Sequence, residues 1–347
     1  MSDSTPVALP ETPGLVWEPL QPENRDDLIR LIAEMERIDN PPYRTSAEEV
    51  DQIFAVTYAG LGGWDQDSQL VAYAIVRLVE TNGYQAICSG GVGVNWRKRG
   101  VGTEIFQWEV ATARKMLADK PRPAQIVCFV DRSSSNISGW MYTFGFEKKH
   151  SFLELRRDLN EPIPEIEPGQ YLKIVPWSET FDDRVRRAHN ELMELTSGSP
   201  AQDMESWTSN RPFFAPEWSF IALDKSSDVA EVAGYLLSAR YEQDWEALGW
   251  KEGYTEILGV LPDYAESKVA QALLSRTLNT YRDSGMAFAA VGLAEENPTE
   301  VAKLYTSFGY QATGGSTMWV VDLKDKPTLE DIAEANQSAA GVKPARL

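Results

Sequence analysis

The chain is 347 residues long, which suggests two domains at roughly 100–200 residues each. Hydrophobic residues make up 43% and charged residues 24%, ordinary globular usage that excludes a disordered chain, and two cysteines exclude a disulfide framework. With 33 Lys+Arg against 52 Asp+Glu the net charge is −19, which argues against a nucleic-acid partner and favours cationic small molecules. No stretch approaches the ~18 consecutive apolar residues of a membrane helix, so no membrane partner is expected. Residues 1–14 are polar and Pro-rich, without the basic start and apolar core of a signal peptide. Cys88 and Cys128 lie in apolar runs and read as buried free thiols of a reducing compartment. The expected location is cytoplasmic, and a homodimer is compatible with the sequence.

In chain order, 15–20 reads as a strand, and Leu28, Leu31, Ile32, Met35 and Ile38 form a helical stripe. Ser46 and Glu49 make a capping-box signal for a second helix, to about Phe54. Residues 69–80 and 84–94 read as strands joined at Asn82-Gly83, a hairpin signal. A helix over 101–117 carries two apolar stripes, one with Ile105 and Trp108, the other with Phe106, Val110, Ala113 and Leu117, and is expected to be buried between layers. Strand 124–130 follows. Ile137, Trp140, Met141 and Phe144 then mark a short helix, and a final strand ends at Leu159.

The second half repeats this order. Strand 171–176 leads to a helix with Val185, Ala188, Leu192 and Leu195. Strands 218–223, 230–239 and 254–260 precede a helix over 266–283 and a strand over 287–293. Val301, Leu304, Tyr305 and Phe308 mark the short helix, and strand 316–323 closes the repeat. Both short helices run into a Phe-Gly-aromatic turn, Phe144-Gly145-Phe146 and Phe308-Gly309-Tyr310. Segment 158–170, with prolines, acids and no apolar period, reads as a linker. The expected domains are 1–160 and 161–325, with a polar tail over 326–347. The fold class is α+β: two tandem domains, each a mixed, mostly antiparallel sheet flanked by helices.

The sharpest local signal is Arg97-Lys98-Arg99-Gly100-Val101-Gly102-Thr103, between a strand and a helix. A helix N-terminus offers free N–H groups and partial positive charge, glycines allow close approach, and three cations add charge. That chemistry suits a pyrophosphate. Val92-Gly93-Val94-Asn95-Trp96-Arg97-Lys98-Arg99-Gly100-Val101-Gly102 resembles the acyl-CoA pyrophosphate loop of the GNAT family of N-acetyltransferases. Tyr305-Thr306-Ser307-Phe308-Gly309-Tyr310 is similar to that family's tyrosine-plus-Gly-aromatic motif, and Asn297-Pro298 upstream fits it. The element order fits twice, a layout similar to two-domain actinobacterial members.

The resemblance implies a twisted sheet with a splayed central strand pair, and acetyl-CoA between those strands. It implies direct acetyl transfer to the amine of a small, cationic acceptor. In the first half, Val92, Val94, Arg97, Lys98, Arg99, Gly100, Val101, Gly102 and Thr103 are the expected cofactor-binding residues. Met141 stands where the family's proton-donating tyrosine belongs, with Tyr142 beside it. In the second half Tyr305 holds that place, whereas the loop is altered: Ala265 replaces the arginine, Lys268 the first glycine, and Glu266 adds a negative charge. Glu256, on the strand before that loop, is the base candidate, with Glu80 the first-half guess. The catalytic candidates are thus Tyr305, Glu256 and Tyr142, and Glu242, Asp244 and Glu246 with Tyr241 and Trp245 form an acidic cluster that suits a cationic acceptor. Two alternatives stand beside this reading: a non-catalytic acyl-CoA binding or sensing protein, and a two-domain enzyme whose C-terminal half is the active one. His150 and His189 accompany no Gly-x-Ser-x-Gly elbow, and the cysteines and histidines lack metal-ligand spacing, so neither a hydrolase triad nor a metal is expected.

Overall fold

The computed structural model describes residues 6–81, 83–120, 123–132, 137–197, 201–209, 211–295 and 299–323. Asn82, Asn297-Pro298 and the tail lie outside these residues. In chain order the first elements are β1 (Val16–Pro19), α1 (Arg25–Asp39), α2 (Ala47–Ala55), β2 (Tyr58–Trp64), β3 (Leu70–Thr81), β4 (Gly83–Val92), α3 (Val101–Leu117), β5 (Ala124–Asp131), α4 (Ile137–Thr143) and β6 (Glu147–Asp158). There follow β7 (Leu172–Pro176), α5 (Asp182–Ser197), α6 (Met204–Ser209), β8 (Phe220–Asp224), β9 (Glu231–Ala239), α7 (Trp245–Leu248), β10 (Glu252–Val260), α8 (Val269–Asp283), β11 (Phe288–Ala294), α9 (Thr299–Ser307) and β12 (Gln311–Asp322). Two compact units result, Met1–Lys149 with Thr317–Leu347, and His150–Ser316. The sequence repeat breaks at a change of composition, whereas these units divide β6 and β12, so the last strand of each repeat falls largely or partly in the other unit.

In the first unit the sheet runs β1-β2-β3-β4-β5, and the Thr317–Asp322 part of β12 follows β5. Neighbours are antiparallel as far as β4. The parallel β4–β5 pairing runs from Tyr84↔Ala124 to Ile87↔Val127 and stops, although both strands continue, so they part beyond Ile87. Alternation along β3 sends side chains to opposite faces. Ile75 joins Leu28, Leu31, Ile32 and Met35 of α1, while Ala74 and Val76 join Ile105, Phe106, Ala113 and Leu117 of α3. Leu28 and Leu31 are almost fully buried, and each such burial stabilises by roughly 1.5–3 kcal/mol. The capping box at α2 forms as its sequence predicts: the Ser46 hydroxyl accepts from Glu49 N–H and the Glu49 carboxylate accepts from Ser46 N–H. Strand β2, rich in glycine, gives no sequence signal. Its glycines serve packing: a Cβ at Gly63 would lie 2.8 Å from the Trp17 ring.

In the second unit the order is β6-β11-β10-β9-β8-β7. The parallel β10–β11 pairing runs from Glu252↔Phe288 to Thr255↔Val291 and then stops, a second splayed pair. Helix α8 packs on one face with Leu273, Leu274, Leu278 and Tyr281, and α5 packs on the other with Val185 and Ala188 beside Ile221 and Leu237. Segment 158–170 is docked on this unit. Ile163 and Ile166 pack on its core, Ser275 Oγ donates to Pro164 C=O at 2.6 Å, and Arg157 Nη2 donates to Pro162 C=O at 2.7 Å.

Candidate active site

The loop of the first unit enters from β4 through a short turn at Val94–Trp96 and leads into α3. Lys98 and Gly100 both take left-handed backbone conformations, φ 60° and 88°, so the chain turns sharply into the helix. A Cβ at Gly100 would meet nothing within 4 Å, so this position requires glycine for conformation and leaves open space at the helix start. Thr103 N–H and Glu104 N–H both bond Gly100 C=O, at 2.9 and 3.1 Å, so the Val101 and Gly102 N–H groups precede the ladder. The cations are less free than their sequence suggests. Arg97 forks onto Asp39 at 2.6 and 2.7 Å and donates through Nε to Val92 C=O at 2.9 Å. Its guanidinium holds the Asp39 carboxyl below the usual carboxylate range. Arg99 lies over the Trp96 ring, 4.9 Å from its centroid.

Around the first splay the reactive groups are sparse. Met141 is buried in the core, while Tyr142 is 56% exposed and meets Trp319 edge to face at 5.1 Å. Glu80 lies at the hairpin end of β3 opposite Tyr84, away from the splay. Cys88 and Cys128 are buried free thiols just past the last β4–β5 pair. Glu109 of α3 is buried beneath Gly90 and accepts from Ile75 N–H at 3.4 Å, and burial pushes its carboxyl up to about 8.

The second loop folds as the first does, despite its altered sequence. Leu261 N–H bonds Ala233 C=O at 3.0 Å, as Gly93 N–H bonds Val71 C=O at 2.7 Å. A short turn at Pro262–Tyr264 matches Val94–Trp96, and Val269 opens α8 as Val101 opens α3. The helix start differs in chemistry. Ser267 Oγ accepts from Val269 N–H at 3.3 Å, and Ala265, Glu266 and Lys268 are exposed.

The second splay carries the acid–base groups. Pairing of β9 with β10 shifts between Thr255 and Ile257, leaving Glu256 as the extra residue of a β-bulge. The β3–β4 ladder of the first unit runs without a shift from Ala72↔Val92 to Thr81↔Gly83, so Glu256 has no counterpart there. Tyr241 Oη donates to Glu256 Oε2 at 2.9 Å. Glu256 reaches solvent yet lies among enough protein that desolvation raises its pKa, with the Tyr241 bond opposing the rise. Tyr254 stands edge to face with Tyr241 at 5.4 Å, and a Cβ at Gly292 would sit 2.7 Å from Tyr254 Oη, so that glycine makes room for the phenol. Glu154, beside Tyr254, is pushed up to about 7, chiefly by burial, with Arg156 opposing. Arg156 forks onto Glu252 at 2.8 and 3.2 Å, and Trp250 Nε1 donates to the same carboxylate at 2.9 Å. Tyr305 is buried on the α8 side, its ring 5.2 Å from that of Tyr310, and burial raises its pKa so that it stays protonated at neutral pH. Of the acidic cluster in the sequence, Arg240 pairs with Glu242, and Trp245 Nε1 donates to Glu252 C=O. Glu154 and Tyr254 escaped the sequence reading, and the alternation of Glu154 with Arg156 on one strand was their only signal. His189, buried, shares a 2.9 Å hydrogen bond with Tyr235 Oη and is shifted toward its neutral form by desolvation. Among the described residues no group of His, Cys, Asp and Glu is placed to hold a metal, and no helix is long and apolar enough to cross a membrane.

Solved structures resemble the chain over most of its length. A GCN5-related N-acetyltransferase from Sphaerobacter thermophilus matches with a TM-score of 0.68 at 19% identity, over 93% of this chain and 99% of that one. A tandem GNAT protein from the clavulanic acid biosynthesis pathway matches with a TM-score of 0.65 at 13% identity, over 90% and 100%. The chain has the tandem GNAT fold. In sequence, it is 31% identical over 110 residues to a mycothiol acetyltransferase of Thermobifida fusca (strain YX). That match covers 31% of this chain and 33% of the relative, so it spans about a third of that protein. No family model matches the chain. The two units therefore present two versions of the GNAT cleft, one with the glycine loop and one with the bulge carboxylate and the buried tyrosine.

Proposed function

We propose that this GNAT-fold protein is an acetyl-CoA-dependent N-acetyltransferase acting on a small cationic amine, with its reaction centre in the second unit. The observation that carries this reading is the bulge at Glu256, which sets a carboxylate of raised pKa at the mouth of the second splay. Glu256 takes a proton from the acceptor ammonium, the freed amine attacks the thioester carbonyl, and a C–N bond forms as the C–S bond breaks. Tyr305 gives its proton to the departing sulfur and regains one as the nitrogen sheds its second proton, and Glu256 returns the proton it took to solvent. Transfer is direct, and the second unit's main contribution is to hold thioester and amine together. The net charge of −19 and the carboxylates Glu154 and Glu256 favour a cationic acceptor. Free Cys88 and Cys128 agree with a reducing cytoplasm.

A second reading is favoured by one specific observation, the open, glycine-started helix at Gly100. On that reading the protein is a non-catalytic acyl-CoA binding or sensing protein that holds the ligand in its first unit, where Met141 replaces the acid and no bulge carboxylate is present, and it shows binding without turnover. Calorimetric titration with acetyl-CoA and release of free CoA against a panel of primary amines separate the two. Glu256→Gln and Tyr305→Phe should cost about 10²–10⁴-fold in turnover, while Gly100→Glu removes a binding site and spares turnover. Turnover lost in Gly100→Glu but kept in Tyr305→Phe would place the reaction in the first unit and refute the proposal.

A further inference from the structure

The second splay has a carboxylate on each side of its opening. Pairing of β10 with β11 ends at Thr255↔Val291, so the strands part at Glu256 on one wall and Gly292 on the other. Gly292 pairs with Glu154 of β6, which sets that carboxylate one strand beyond the gap. Glu154, Gly292 and Tyr254 share one face of the sheet, because Leu155, Val291 and Leu293 belong to the α8 core on the other. The Tyr254 phenol reaches over Gly292 and donates to Glu154 Oε2 at 3.5 Å. Rings fill the way to the second carboxylate. Tyr254 meets Tyr241 edge to face, Tyr241 lies 4.9 Å from the Phe213 ring, and its hydroxyl donates to Glu256.

Arg156 stands between two carboxylates and serves chiefly one. Glu252 takes both arms of its fork, at 2.8 and 3.2 Å, and the Trp250 N–H as well, whereas Glu154 has a single contact at 3.4 Å. One guanidinium against two carboxylates leaves a net negative charge, and Glu252 and Asp244 add to the cost of ionising Glu154. The fold does not call for charge at these places. Met318 and Val320 precede Asp322 of β12 by the same counts as Glu154 and Arg156 precede Asp158 of β6, and both are buried apolar residues. A carboxylate short of counter-charge, beside aromatic rings, suits an ammonium group, which gains a charged hydrogen bond and ring contact together.

We propose that Glu154 is a specificity-determining residue that receives a second ammonium group of the acceptor, and that the acceptor class is a short diamine. The inference rests on the reading of Glu256 as the base. One amine lies at Glu256 and reacts, while the other stays protonated at Glu154, with the methylene chain along Tyr241 and Tyr254. The two carboxylates stand two strands apart, about 10 Å between backbones, and side chains leaning inward shorten that span to the length of such a molecule. Acetylation turns the amine at Glu256 into a neutral amide, so the product keeps only its hold on Glu154.

Free CoA release from acetyl-CoA by the full-length protein, with 1,4-diaminobutane, 1,6-diaminohexane or n-butylamine, tests this in the wild type, Glu154→Gln and Glu256→Gln, with a thermal melt to confirm folding. In the wild type KM for the better diamine should be lower than for n-butylamine by about tenfold to a hundredfold, at similar kcat. Glu154→Gln should raise KM for the diamines far more than for n-butylamine, so that the preference disappears. A wild type that takes n-butylamine as well as the diamines overturns the assignment without recourse to a variant, and so does a folded Glu154→Gln that keeps the preference. No release by the wild type with either diamine overturns the acceptor class. Full release by Glu256→Gln would overturn the base, and this inference with it.

Discussion

Replacing Glu109 by Gln should remove a pH-dependent loss of stability from the first unit. Glu109 is 3% exposed, and burial lifts its carboxyl from 4.5 to about 8. Between those values the folded chain keeps a proton that the unfolded chain has released. The unfolded state then binds fewer protons, so stability falls as pH rises, by up to roughly 1.4 kcal/mol per pH unit. The loss starts near the unfolded value of 4.5 and is complete above about 8. From pH 5 to pH 7.5 it amounts to about 3 kcal/mol, and Gln, which does not titrate, should not show it. Thermal unfolding of both proteins at the two pH values supplies the test, because titrations common to both cancel in the difference. At roughly 2–4 °C per kcal/mol, the gap in melting temperature should change by about 6–12 °C in favour of Glu109→Gln at the higher pH. A constant gap would show that Glu109 is ionised in the folded chain and would refute the reasoning.

Tyr241→Phe removes the hydrogen bond that lowers the Glu256 pKa, so the acid limb of the kcat/KM profile should move up by about one pH unit while the plateau stays put; an unmoved limb would separate Glu256 from the base role. Asp39→Asn should release Arg97 and raise acetyl-CoA affinity in the first unit by about threefold in calorimetry, while costing under about 1 kcal/mol of stability, as expected for a partly exposed pair. Unchanged affinity would mean that Arg97 clamps α1 to the loop and does nothing else. At Gly253 a Cβ would stand 2.5 Å from the Tyr281 ring. Gly253→Ala should therefore cost about 1–3 kcal/mol in denaturant unfolding of the second unit, and a neutral effect would mean the ring gives way freely.

Long apolar stripes were legible in the sequence. Helix α3 spans Val101–Leu117, as its two stripes and its glycine start predict. Where a residue's role depends on a neighbour distant in sequence, the sequence is silent. The glycines of β2 hide a strand because their reason is the Trp17 ring, and Arg97 reads as a phosphate ligand until Asp39, 58 residues upstream, meets it. Helix α8 begins at Val269, three residues after its expected start at 266, because Pro262–Tyr264 forms a separate turn and Ser267 caps Val269. Glu256 drew notice by its strand position, but its bulge depends on the register of β9, which no local pattern encodes. The Tyr305 position was readable from the Gly-aromatic turn at Phe308-Gly309-Tyr310.

The division of β12 has a consequence for how the chain is made. The first unit is complete only when Thr317–Asp322 joins β5: Trp319 and Leu323 belong to its core, and Leu323 N–H bonds Ala124 C=O at 3.0 Å. A ribosome adding about 5–20 residues per second needs on the order of ten to thirty seconds to travel from the end of the unit's first segment to that strand. During that interval β5 offers an unpaired edge to any other nascent strand. Expressing residues 1–160 alone would make that exposure permanent, so the glycine-loop unit should be studied within the whole chain or with its last strand supplied as a peptide.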